Sequence, residues 1–460
     1  MKSRIKHRPR HRSAFSNNDR GAILVIAALL LPILLGCVGL VIDIGVMMVA
    51  SRQSQNAADA AAMAAAVDLL LARTEATARA TATTYVQTHH NLANSQVTVN
   101  IPPTQGPYAG SANHVEVVVQ TPTRTSFIQV LGVNRDQFVR RLAVAGVRAQ
   151  PATPGVLALD ESARPGLRVV GNGGLVVNGN ITINSSGGGL DESGNPIGNG
   201  NSGTAASVSN NATVRATDIR VVGGVNNPGN FENYDPGATT SPLHTGQLPV
   251  PDPLEFLPPP MVSNGVIPTF HPAISVTGNR TVNLVPGVYP SIRIQSGTVV
   301  FEPGIYIIRG GELRVTEDRV TAHGVMFYIT GDNYNIYTGE PDINDLGNPP
   351  PATDGASFGN VRINASLQFH GLNNPGGPFD GMLFYQRRMN TNDFDMAGNS
   401  AAGNLTGTFY AKWGRMDISG QGTYGAQIIA ASIDISGNGT VTIDPGDDPV
   451  GQANRVALLQ

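Results

Sequence analysis

From Gly21 to Ile42 the chain runs 22 residues without a charged side chain. As a helix rising ~1.5 Å per residue, that stretch spans ~33 Å, enough for a bilayer core of ~30 Å. Pro32 falls mid-span, where a membrane helix tolerates proline better than a soluble one does. Ahead of it, residues 1–20 carry Lys2, Arg4, Lys6, Arg8, Arg10, Arg12 and Arg20 against one acid, Asp19. By the positive-inside rule this basic tail stays in the cytoplasm and residues 43–460 lie across the membrane. The expectation is a single-pass protein of a bacterial inner membrane, with its bulk periplasmic or extracellular and the lipid bilayer as its first partner.

Two other readings share this polarity. A cleaved signal peptide has an apolar region of ~7–15 residues and a small-residue cleavage site; this run is longer and no such site follows it. The "LLGC" at Leu34–Cys37 resembles a lipobox, but the apolar run continues past Cys37. A basic tail next to a hydrophobic span is explained by topology and anionic lipid, so no nucleic-acid partner is expected. The net charge of -3 points the same way, and the single cysteine excludes an intrachain disulfide.

From Asp43 to about Tyr85 there is no proline and one glycine, Gly45. Alanine is the strongest helix former, so the anchor is predicted to continue outward as one long rod, straight or with a bend. Ala57, Ala61 and Ala65 recur at every fourth position, as do Ala58, Ala62 and Ala66. Small residues at that spacing let helices approach closely, which serves packing on the chain's own domain, self-association or a partner equally well. Asp43 marks the membrane exit, and Asp59 is either solvated or paired with a basic group.

The segment Arg20–Val67 resembles the N-terminal module of TadG-like proteins of the Flp (tight adherence) pilus machinery. The matching pieces are Arg20-Gly21, Asp43-Ile44-Gly45 and Gln55-Asn56-Ala57-Ala58-Asp59-Ala60-Ala61-Ala62. The resemblance implies pilus or secretion-system membrane components as partners. Related pseudopilins carry a glutamate five residues after the processed glycine; Ile26 stands there, which argues against prepilin-type cleavage.

Beyond the rod, Val97–Ile101, His114–Gln120 and Phe138–Ala149 read as strands, and Ser126–Gly132 as a short helix ending at glycine. These complete a helical stalk and small α/β module over residues 43–149. The rest is turn-rich: the chain holds 54 glycines and 32 prolines. "PGVY" at Pro286 and "PGIY" at Pro303 stand 17 residues apart, as do "DISGQGT" at Asp417 and "DISGNGT" at Asp434; "DMAGN" at Asp395 is a looser copy. Short strands between Gly and Asn corners at a near-constant period predict a parallel β-solenoid, so the fold class is α+β and mostly β. Its predicted organisation is a first β block over 150–247 with a polar loop at 185–203, a stiff Pro-rich connector at 248–260, and a second block over 261–460 with a loop near 331–359.

No enzyme is expected. There is no zinc pair, P-loop or G-x-S-x-G elbow, and no cofactor or metal set. Asp395, Asp417 and Asp434 are expected as corner devices bonding turn amides, and Arg387-Arg388 as an exposed loop. The alternative is a membrane-tethered carbohydrate-binding or carbohydrate-cleaving β-helix protein, which requires converging carboxylates and flanking aromatics. One tryptophan, Trp413, and 6% aromatics make a poor sugar platform.

Overall fold

The computed structural model of the protein describes residues 19–70, 73–151, 155–198, 203–317, 319–340, 355–364, 366–401, 404–446 and 452–459. The basic tail before Asp19 therefore lies outside the described residues, as do parts of the two polar loops. The chain divides into two compact units, one reaching to Val147 and taken up again at Val456, the other Arg148–Arg455.

The first unit begins with α1 (Asp19–Leu70, 52 residues). Its first part is long and apolar enough to cross a membrane. Leu24, Leu29, Leu31, Leu34 and Val41 are each 61–71% exposed, so the described residues leave these side chains uncovered. The second half is buried. Ala57, Ala58, Ala61, Ala62, Ala65 and Ala66 are all 0% exposed and share one core with Val115, Val117, Val119, Ala143 and Ala145. Those residues come from β2 (His114–Arg124) and β3 (Asp136–Pro151), which pair antiparallel, with β1 (Gln96–Asn100) on the other side of β2. The final strand, Gln452–Leu458, completes this sheet beside β3.

The expected continuous rod is corrected here. α1 ends at Leu70, and α2 (Glu75–Thr84) packs against it, with Ala78 and Ala82 in the same core. The Thr74 hydroxyl accepts the Thr77 N–H and starts the new helix, while Arg73 bonds Asp68 across the break at 2.8 Å. A helix whose apolar face is all methyl groups gains most when another helix and a sheet close on both sides of it.

The second unit is almost entirely short strands that pair parallel. Ile274–Val276 pairs with Ile292–Ile294, that with Leu313–Val315, then Val361–Asn364, then Phe394–Ser400, then the long strand Leu405–Gly437. Two further columns follow the same order: Thr281–Leu284 pairs with Thr298–Phe301, and Gly287–Tyr289 with Gly304–Arg309. Alternate residues point inward, as pleating requires: Ile292, Leu313, Val361, Phe394 and Met416 are buried while Arg293 and Arg362 are exposed. Phe301, Phe327, Phe369 and Phe384 stack inside at centroid spacings of 5.1–6.4 Å.

The repeats are only partly in register. Asp395 pairs with Asp417, and Gly420 needs its φ of +131° because a Cβ there would meet the Gly398 carbonyl oxygen at 2.0 Å. Gly287 of "PGVY", by contrast, pairs with Tyr306 of "PGIY" rather than with Gly304. A slip of two residues keeps every side chain on its own face, so facing constrains register more than the motif does.

The two expected β blocks are one stack. Ile433–Gly437 pairs with Leu167–Gly171, and Thr440–Ile443 with Gly174–Val177, while Leu167–Gly171 pairs on its other edge with Ala206–Asn210. The N-terminal block thus sits on the C-terminal end of the stack. Chain leaving Leu243–His244 must return along the whole stack, roughly 40 Å at ~4.8 Å per strand, to begin again at Ile274. Residues 248–260 lie in this return and connect the two blocks as expected, but they turn over residues 253–256 and pack on the stack, with Leu254 and Leu257 buried with Tyr385 and Tyr410. The polar loop after Ser185 contains a small hairpin, Gly189–Leu190 with Pro196–Ile197.

Candidate functional site

The residues singled out in the N-terminal segment all fall on α1. Asp43 is 3% exposed and does more than mark an exit. Its Oδ1 accepts the Ser126 N–H at 2.8 Å, and its Oδ2 accepts those of Phe127 and Ile128 at 2.6 Å each. These are orphan amides at the start of the 3-10 turn Ile128–Leu131, which closes at Gly132 with φ 75°. A carboxylate on α1 thereby caps a turn more than eighty residues on. Gly45 makes no close approach: a Cβ there meets nothing within 4 Å. Gly39 is the glycine that packing requires, because a Cβ would lie 2.4 Å from the Phe127 ring.

Farther along α1 the bonds to the sheet continue. The Ser54 hydroxyl lies 2.8 Å from that of Thr121, and Arg141 Nε donates to the Ser51 hydroxyl at 2.9 Å. Gln55 Nε2 donates to Asp59 Oδ1 at 2.7 Å and to the Leu142 carbonyl at 3.3 Å. Asp59 is thus an acceptor for a neighbour on its own helix, which orients Gln55 toward β3. Ala57, Ala61 and Ala65 face the chain's own core, so the alanine face is filled from within. Arg20 and Gly21 lie in the first turns of α1, which continues unbroken through both.

In the second unit, the expectation for Arg387 and Arg388 is corrected: they are 0% and 3% exposed. Arg387 Nε stands 3.0 Å from Glu340 Oε2, and Thr330 donates to Glu340 Oε1 at 2.6 Å. Arg388 Nη2 donates to the Leu254 and Leu257 carbonyls at 2.5 and 2.9 Å, and its Nε to the Tyr410 hydroxyl at 3.0 Å. Tyr410 donates on to Asp252 at 2.6 Å, beside Lys412. The pair pins the returning strap and the segment ending at Glu340 to the stack. Burial of this "RR" was not legible because its acceptors lie up to 134 residues away.

Asp395, Asp417 and Asp434 stand within strands, which corrects their reading as corner devices. Asp434 bonds Arg168 at 2.9 Å. Burial, and then the charge of Asp434, raise the Asp417 carboxyl above the ordinary carboxylate range. None of the three lines the cleft of about 500 Å³ around His323 and His370. Among the described residues, no group of three or more His, Cys, Asp or Glu is placed to hold a metal ion.

No curated protein and no solved structure matches the chain. Residues 21–68 match the model of the Flp pilus-assembly TadE/G-like family, a segment that begins with the apolar run, contains Asp43 and Gln55, and ends with the buried alanine face.

Proposed function

We propose that the protein is a non-enzymatic component of a Flp pilus-assembly apparatus, held in the inner membrane by α1 with its N-terminus cytoplasmic, and that residues 148–455 form a parallel β-solenoid acting as an exported scaffold or adhesion domain. The observation that carries this reading is the division of one helix. From Leu24 to Val49 α1 leaves its large apolar side chains exposed, interrupted on one side by Gly39 and Asp43, and from Ser54 onward it is buried against its own module. A soluble protein does not leave such a surface bare, whereas a bilayer covers it. The family match over the same segment supports the pilus link. The β-solenoid reading is supported by strands pairing parallel with the third strand after them.

The orientation is tested with Tyr337→Cys, at a side chain 68% exposed, in a Cys37→Ala background. A membrane-impermeant maleimide should label it once the outer membrane is opened. Labelling only after the inner membrane is lysed would overturn the orientation. The pilus role is tested by deleting the chain and counting pili, and unchanged numbers would overturn it.

A further inference from the structure

One outward column of the second unit carries an ordered sequence of charge. Arg293 pairs with Arg314 in strand register, Arg314 with Arg362, Arg362 with Asp395, and Asp395 with Asp417. Asp434 continues the row, close enough that its charge acts on Asp417. Three arginines therefore stand on successive strands, followed by three aspartates, and the next position is Arg168, which is in register with Asp434 and neutralises it at 2.9 Å. Strands lie ~4.8 Å apart, and like charges directly opposite each other across strands are destabilising. Arg314 beside Arg362 and Asp395 beside Asp417 are therefore unfavourable neighbours within one chain.

The column beside it, two residues earlier on each strand, has its own pattern. Glu312 precedes Arg314, Asn360 precedes Arg362, Asp393 precedes Asp395 and Arg415 precedes Asp417. Within the chain, Arg293 bonds Glu312, and Arg415 bonds Asp393 at 2.6 Å. Now let a twofold axis run along the strands between Arg362 and Asp395. Rotation reverses the stacking order and keeps position along each strand. Arg362 then faces the partner's Asp395 and Arg314 the partner's Asp417, while Arg293 and Asp434 keep their own-chain partners Glu312 and Arg168. In the neighbouring column Glu312 faces the partner's Arg415, and Asn360 the partner's Asp393. The Arg–Asp column is opposite in sign about this axis, as is Glu312 with the partner's Arg415, and Asn360 sets no like charge against the partner's Asp393, as a self-complementary twofold interface requires.

We infer that this charged strand face is an interface with a second copy of this chain, the two stacks meeting face to face and antiparallel. The like-charged neighbours Arg314 and Arg362, and Asp395 and Asp417, then face opposite charge from the partner, and complementary potential sets the register of assembly.

The test uses full-length chain in detergent at low salt, followed by sedimentation. One variant carries Arg314→Asp with Arg362→Asp, which makes the column acidic throughout. The other carries Asp395→Arg with Asp417→Arg, which makes it basic. Each alone should raise the dissociation constant at least about tenfold. An equimolar mixture should restore association, and about 0.5 M salt should weaken the wild-type pair. Circular dichroism checks folding. If either reversal unfolds the chain, Arg362→Gln and Asp395→Asn replace it, and each should weaken association and flatten its salt dependence. Wild-type chain that stays monomeric, variants that associate like wild type through α1 or another surface, or a mixture that fails to associate would each overturn the inference.

Discussion

Asp43 Oδ2 accepts the backbone N–H of Phe127 at 2.6 Å across 84 residues of sequence. With the bonds from Ser126 and Ile128, one carboxylate ties the exposed half of α1 to the folded module where the helix changes surroundings. Asp43→Ala leaves three amides without an acceptor, each costing ~1–3 kcal/mol, so a loss of about 3 kcal/mol or more is expected. Asp43→Asn presents one acceptor and one donor to three donors and should recover less than half of that. Denaturant unfolding in detergent measures both, and limited proteolysis within 126–132 should accelerate in step.

Gly39 is predicted to depend on Phe127. The contact at 2.4 Å involves the ring, and the Phe127 Cβ is itself 2.8 Å from where a Cβ on residue 39 would stand. Because Asp43 holds the Phe127 backbone, the ring cannot simply retreat with its main chain. Gly39→Ala should destabilise the module despite gaining ~1 kcal/mol of helix propensity. Adding Phe127→Ala should restore it, and a double variant no better than the single one would refute the coupling.

The alanine face gives a third prediction. Ala61 is fully buried in a core closed by α2 and the sheet. Ala61→Leu should therefore lower the unfolding midpoint of the module, at a cost of ~1–3 kcal/mol from overpacking. Asp59→Asn keeps an acceptor for Gln55 and should change stability little. If Ala61→Leu left the thermal midpoint untouched and removed only capture of a membrane partner, the face would be an assembly surface.

What was legible in the sequence follows the range of the physics. The apolar run, the alanine stripe and the strand alternation are local periodicities, and α1, β1, β2 and β3 stand where those periods put them. The break after Leu70 was not legible, because an alanine-rich chain is helical in either arrangement and only the distant Val115–Val119 surface decides between them. The same holds for the strap over residues 248–260. Prolines announce an extended segment, but its burial depends on Arg388, more than 130 residues later. Asp43 was identified by position and missed in role, since nothing local pairs it with Ser126.

The buried ion pair of Arg387 and Glu340 yields a fourth prediction. Both side chains are under 5% exposed and 3.0 Å apart. Glu340→Gln leaves a buried guanidinium without its carboxylate, held by the Asn333 side chain at 3.1 Å, and should cost about 3–5 kcal/mol. Arg387→Met with Glu340→Gln removes the charge together with its partner. The double variant should be less destabilised than the sum of the singles, as chemical unfolding of a four-member cycle would register.

Asp417 supplies the pH dependence. Burial first, and Asp434 next, raise its carboxyl above the ordinary value of 3.8, opposed by Arg415 and reinforced by Asp395 and Asp393. A carboxyl whose pKa is higher folded than unfolded binds its proton more tightly in the folded chain. Its stabilising contribution is complete below about pH 3.8 and is lost as pH rises through the raised value. Asp417→Asn should then melt above wild type at pH 7 and level with it near pH 3, in dilute chain where copies are apart. At concentrations where copies pair, the order at pH 7 should reverse, because the partner's Arg314 then favours the ionised form. An Asn variant less stable than wild type at pH 7 even in dilute chain would mean that the carboxylate is already compensated within one molecule.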